Sequence, residues 1–195
     1  MELVGNFYLA NNLSLKNVDL KNLKIIGNNF LSKNKCITSI NFPNLVKIGG
    51  FFLTNNYLLN AIELKKLEEV EDEFLTYNRS IEYANFPLLK KVGNNFLRDN
   101  NNLKSISFPE LEEVGNNFMC YNKTIEKMHV KKLKTVGNIF LSNNHLLQNT
   151  IFLNIDKYGD DFLGYNKKLK YNYIIDYTEQ KFLKKVINFY KNRNR

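Results

Sequence analysis

The sequence predicts an α/β solenoid of eight 22-residue rungs, each a strand plus a short helical turn, closed by a C-terminal helix. Three observations predict it. The phrase V-G-N-N-F-L, followed three residues later by Asn, recurs with a constant step, opening at Val4, Ile26, Ile48, Val70, Val92, Val114, Val136 and Tyr158. Apolar residues keep the same slots in each copy, and one polar residue does not vary. A unit of this length cannot bury its apolar face alone, so stacking supplies the core and function falls to a surface built by repetition.

The fifth copy, Val92 to Glu113, shows how a rung is built. From Leu103 to Phe108, the apolar residues Ile106 and Phe108 alternate with small polar ones, which predicts a short strand with one inward face. Pro109 ends it, having no N–H to donate. Leu111-x-x-Val114-Gly115 reads as a second extended piece turning at the glycine. Asn116-Asn117-Phe118-Met119 is long enough only for a helical turn. Seven of the nine glycines follow the opening residue of a copy (Gly5, Gly27, Gly49, Gly93, Gly115, Gly137, Gly159), which predicts a backbone turn with φ > 0.

Two slots form continuous stacks: Tyr8, Phe30, Phe52, Phe74, Phe96, Phe118, Phe140 and Phe162, and Leu15, Ile37, Leu59, Ile81, Leu103, Ile125, Leu147 and Leu169. The invariant polar slot holds Asn12, Asn34, Asn56, Asn78, Asn100, Asn122, Asn144 and Asn166. An amide carries two donors and a two-lone-pair acceptor, so a buried asparagine ladder satisfies backbone groups at the bend and reaches the next rung. Three glycosylation sequons, at Asn12, Asn78 and Asn122, fall in this slot and read as accidental.

The phrase I/V-G-N-x-F-L-x-x-N-x-x-L-x-x-I-x-F-P resembles leucine-rich repeats of the BspA-like type over residues 1 to about 177. The resemblance implies a right-handed leucine-rich-repeat solenoid with strands on a concave face and a role in binding other proteins. Units of that family usually run one residue longer and often carry Cys where this chain has Asn. The fourth copy departs with Glu71 at the turn glycine and Ala84 in the Ile slot. The eighth departs with Tyr158 at its head and Asn172 in the Ile slot. Residues 1–177 form the repeat domain in this reading, and 178–195 a capping helix and basic tail.

Composition narrows the function. The 44% apolar and 24% charged content is that of a soluble globular chain, and no apolar stretch approaches the ~18 residues of a transmembrane helix. Without a basic-then-apolar leader, an intracellular, cytoplasmic location is expected. The abundant Asn, Lys and Ile match AT-rich codons, as in some protists, low-GC bacteria and giant DNA viruses. Cys36 and Cys120 lie four rungs apart, roughly 20 Å at ~4.8 Å per rung, which predicts free thiols. The net charge of +9 is uneven, since residues 167–195 hold nine basic and two acidic residues and the solenoid body is nearly neutral.

Catalytic, cofactor and metal sites are not expected. His129 and His145 occupy different slots without Cys or His at ligand spacing. A Cys120–His145 pair has nothing to orient it. Asp156, Asp160 and Asp161 lack a calcium-loop ligand series. Glu68, Lys90, Glu112, Lys134 and Asp156 alternate in sign from rung to rung, which reads as cross-strand pairing.

Partner recognition therefore falls to the outward strand positions: Asn17 and Asp19, Ser39 and Asn41, Ala61 and Glu63, Tyr83 and Asn85, Ser105 and Ser107, Lys127 and His129, Asn149 and Ile151, Tyr171 and Tyr173. Among them Tyr83, Asn85, Ser105, Ser107, His129, Tyr171 and Tyr173 are the expected contacts with a protein partner, exposed tyrosines being good interface anchors. Two further surfaces are read from the ends. The first rung leaves a strand edge open to association with another copy. At the other end Phe182, Leu183, Val186, Ile187, Phe189 and Tyr190 share one helical face opposite Lys181, Lys184, Lys185 and Lys191, offering nucleic acid or an anionic membrane a basic surface.

Overall fold

The computed structural model describes residues 2–152, 155–169 and the backbone of 174–175. The chain winds as a right-handed solenoid of about seven stacked turns of ~22 residues. The eight phrase openings bound those seven turns. Two kinds of strand recur. The short ones are β1 (Leu3–Val4), β3 (Ile25–Ile26), β5 (Lys47–Ile48), β7 (Glu69–Val70), β9 (Lys91–Val92), β11 (Glu113–Val114) and β13 (Thr135–Val136), which form one seven-stranded parallel sheet. The longer ones are β2 (Asn17–Asp19), β4 (Ser39–Asn41), β6 (Ala61–Glu63), β8 (Tyr83–Asn85), β10 (Ser105–Ser107), β12 (Lys127–Val130), β14 (Asn149–Phe152) and β15 (Ile174–Ile175). They pair as β2–β4, β6–β8–β10 and β12–β14–β15, always in parallel. Register is one repeat per rung throughout, as in Ser105 opposite Tyr83 and Glu113 opposite Lys91.

The core is the inside of the coil. Phe30, Phe52, Phe74, Phe96, Phe118 and Phe140 are fully buried, and rings in this slot lie nearly parallel with centroids 5.1–6.0 Å apart from Tyr8 to Phe162. The strand-end residues Phe42, Phe86, Phe108 and Phe152 meet that stack edge-on. Both geometries suit the ring quadrupole, which disfavours face-to-face sandwiches.

The predicted helical turn is replaced. Among the described residues there is no helix, so the fold there is all-β rather than α/β, and none that is long and apolar enough to cross a membrane. After each Gly the chain instead alternates in backbone hand. In the fifth copy Asn95, Leu97 and Asp99 have φ of 57°, 51° and 59°, and the same three slots are left-handed in every copy from Phe7 to Tyr165. The amides of these residues leave the rung in alternating directions. Asn95 N–H donates to Asn116 O at 2.8 Å on the next rung, Leu97 N–H to Phe74 O at 2.9 Å on the previous one, and Asp99 N–H to Cys120 O at 3.0 Å on the next. An isolated helical turn leaves its end groups unpaired and is costly to nucleate; the alternating ribbon pairs these amides between rungs.

The glycines also play a different part. None has positive φ. A Cβ at Gly27 would lie 2.6 Å from Asn6 Oδ1 and 2.8 Å from the Gly5 carbonyl carbon, and Gly49, Gly115 and Gly137 meet equivalent atoms. Close approach between rungs, not turn conformation, selects glycine here. The colliding amide belongs to a second ladder: Asn28 N–H donates to Asn6 Oδ1, Asn94 to Asp72, Asn116 to Asn94, Asn138 to Asn116 and Asp160 to Asn138, at 2.7–2.8 Å. Gly50 interrupts that ladder, and Glu71 replaces glycine on the next rung, where no amide would meet its Cβ. A groove of about 550 Å³ opens between them.

The predicted asparagine ladder is present. Asn34, Asn56, Asn78, Asn100, Asn122 and Asn144 are fully buried and Asn166 nearly so, while Asn12 on the first rung is exposed. Each Oδ1 from Asn34 onward accepts the N–H of the ladder residue one rung back, as in Asn100 N–H to Asn122 Oδ1 at 2.8 Å. The two ladders thus polarise the coil in opposite directions. The predicted capping helix at 178–195, with Tyr171, Asn172 and Tyr173, lies outside the described residues.

Candidate functional site: the strand face

The longer strands expose alternate residues because their other face closes the core, and parallel register places those residues in rows one rung apart. Asn17 and Asp19, Ser39 and Asn41, Ala61 and Glu63, Ser105 and Ser107, and Lys127 and His129 point outward, with Asn85, Asn149 and Ile151 half-buried. The rows divide into two regions. On the first four rungs outward polar groups bond to one another: Ser39 Oγ to Asn17 Oδ1 at 2.7 Å, Asn41 Nδ2 to Asp19 Oδ1 at 3.1 Å and Asn85 Nδ2 to Glu63 Oε1 at 2.8 Å. Beyond Asn85 that cross-bonding stops. Among the described residues the side chains of Tyr83, Ser105, Ser107, Lys127 and His129 hold no hydrogen bond.

Tyr83 is the exposed aromatic of this face among the described residues. It is 42% exposed, and its register neighbours are Ala61 on one side and Ser105 on the other, so no large side chain of the same row flanks it. Ser107 and His129 continue the surface across β10 and β12. The structure therefore brings Tyr83, Asn85, Ser105, Ser107 and His129 onto one face. It also places His145 elsewhere, half-buried in the corner after the left-handed ribbon, with Nδ1 buried and unpartnered.

Cys120 is free, as is Cys36. The Cys120 thiol donates to Ile139 O at 2.6 Å, and burial pushes its pKa from 9.0 up to about 12. A nucleophile needs the opposite shift. No group of three His, Cys, Asp or Glu side chains is arranged to hold a metal ion among the described residues.

The alternating charges pair beside the short-strand sheet. Lys90 meets Glu68 at 3.5 Å and Lys134 meets Glu112 at 2.6 Å. The bonded Lys134 ammonium holds the Glu112 carboxyl below its usual range, and the same contact raises Lys134. A second alternating row, outside the sequence reading, lies next to it, with Lys47 to Glu69 at 3.5 Å and Lys91 to Glu113 at 3.1 Å. These charges serve each other rather than a ligand, and exposed pairs of this kind contribute little, about 0–1 kcal/mol each.

Comparison with curated proteins and with solved structures returns no match. The sequence does match the family description "BspA type Leucine rich repeat region (6 copies)" over residues 1–102 and 72–186. That span takes in the whole stacked array, with its Phe column, its Asn ladder and its strand face, and the chain belongs to the BspA-type leucine-rich-repeat family.

Proposed function

We propose that this protein is a non-enzymatic interaction scaffold that binds a protein partner through the strand face between β8 and β12. One observation carries the reading: outward groups on the first rungs are committed to one another, whereas Tyr83, Ser105, Ser107, Lys127 and His129 lie exposed and unbonded on successive rungs. Their positions are set by the backbone and their identities are not needed for folding, which is the condition for a recognition surface on a solenoid. Tyr83 supplies an aromatic anchor of low conformational entropy, and the serines supply donors and acceptors around it.

The test is affinity capture from the native cell with the wild-type chain and with a Tyr83→Ala/His129→Ala variant of unchanged melting temperature. A partner captured by the first and lost by the second supports the reading. Equal capture by both removes the strand face from consideration.

A further inference from the structure

A second surface lies at the corner where the left-handed ribbon ends and the chain turns into the longer strand. The residues on either side of each ladder Asn form two columns along this edge. In the fourth, sixth and eighth copies they read Tyr77-Asn78-Arg79, Tyr121-Asn122-Lys123 and Tyr165-Asn166-Lys167, and the second copy has Lys33-Asn34-Lys35. The odd copies carry neutral residues on most of these positions, as in Asn55 and Tyr57 or Asn143 and His145. The edge therefore has a two-rung period, and at ~4.8 Å per rung a tyrosine and a cation recur about every 10 Å.

The three tyrosines share one backbone conformation, with φ of 62°, 61° and 59°, and the interposed Asn is pinned in the ladder, so the backbone of the row is held in place; Tyr121 and Tyr165 are exposed and Tyr77 half-buried. Many cations elsewhere on the solenoid are paired. Lys24, Lys47, Lys90, Lys91, Lys104 and Lys134 are matched with carboxylates. Lys33, Lys35, Arg79, Lys123 and Lys167 are exposed and in no ion pair among the described residues. The single acid in the columns, Asp99, is met by Arg98 at 3.1 Å, and the Arg98 guanidinium lies 5.4 Å from the Tyr121 ring centre. An open pocket of about 370 Å³ between Lys33, Lys35 and Tyr57 continues the surface toward the first rung.

We infer that this tyrosine and lysine edge binds a single-stranded nucleic acid without sequence preference. Unpaired cations in a row track a phosphate backbone, and aromatic rings beside them offer stacking faces that every base satisfies. A polyanion without bases would use the cations and leave the tyrosines idle.

The experiment titrates the full chain against a fluorescein-labelled thymidine oligonucleotide from about 50 to about 200 mM salt. Five phosphate contacts predict a slope of log affinity against log salt of about −3.5. Replacing Arg79, Lys123 and Lys167 with Asn should flatten that slope by about 2. Replacing Tyr77, Tyr121 and Tyr165 with Asn should weaken binding about tenfold or more while leaving the slope unchanged. Asn stands natively in both columns on neighbouring rungs, at Asn55, Asn101 and Asn143, so these variants keep the fold; the single Tyr121→Asn and Arg79→Asn changes serve if a triple variant melts early. With eleven Tyr and no Trp, quenching of intrinsic tyrosine emission reports stacking directly. Absence of binding overturns the inference. So does equal binding of heparin with no loss in the tyrosine variant, or binding that survives both variants and disappears on deleting residues 178–195.

Discussion

Asn100 Nδ2 donates to the carbonyl oxygen of Leu75 at 3.0 Å, and Leu75 is held at φ 54°. The same bond joins Asn78 to Leu53 and Asn122 to Leu97. A left-handed leucine costs roughly 1–2 kcal/mol. The ladder amide captures the carbonyl that this conformation turns away from the ribbon's own pairing, so the ladder and the strained slot stabilise each other.

Removing one rung of the ladder should expose that dependence. Asn100→Ala is expected to destabilise by ~1–3 kcal/mol, since the carbonyl of Leu75 and the N–H of Asn78 lose their partner in the interior, while the Arg98 carbonyl keeps only the Tyr77 N–H. Asn102→Ala, two residues away and exposed, should stay within ~0.5 kcal/mol. Urea melts that give equal losses would refute a buried column.

Strain in the ribbon predicts a gain. Ile139 sits at φ 57°, a conformation that β-branched side chains adopt rarely, in the slot that holds Asn29, Asn95 and Asn117 elsewhere. Ile139→Asn should raise stability by about 1 kcal/mol, the cost of the left-handed region being lower for Asn. A lower melting temperature would mean that packing of the Ile side chain outweighs its backbone strain.

Steric exchange between Gly50 and Glu71 predicts coupling. Gly50→Asn should restore the missing second-ladder amide and drive it against the Glu71 Cβ, destabilising by ~1–3 kcal/mol. Adding Glu71→Gly should recover most of that loss, as the pair is then the one found at Asn94 and Gly115. A double-mutant cycle with no interaction energy would show that the groove there has another origin.

Burial of Cys120 sets both its reactivity and an alkaline limit. Iodoacetamide at mildly alkaline pH should modify half-exposed Cys36 in the native chain and Cys120 only on unfolding. The folded thiol ionises near 12 against 9.0 unfolded, so the folded state holds the proton more tightly in between. Stability is therefore undiminished below pH 9.0 and falls as pH climbs toward 12. A Cys120→Ala variant with the same alkaline fall would assign it to other groups.

The array, its 22-residue step, the Phe column, the Asn ladder and the outward strand positions of the described rungs were legible in the sequence, because translation along a solenoid forces like residues into like surroundings. Periodicity could not disclose backbone hand. Asn95, Phe96, Leu97 and Arg98 read as a helical turn because composition does not distinguish a right-handed run from alternation of hands, and only neighbouring rungs make alternation the better arrangement for the amides. Gly27 read as a turn glycine for the same reason; that it makes room for Asn6 Oδ1 depends on how closely rungs approach. The triplets at Tyr77, Tyr121 and Tyr165 carried a signal of their own, a step of two rungs rather than one. Residue identity alone thus determined that the chain stacks and which slots are buried, while the tertiary structure decided which exposed charges are already neutralised, since pairing across rungs is a matter of distance.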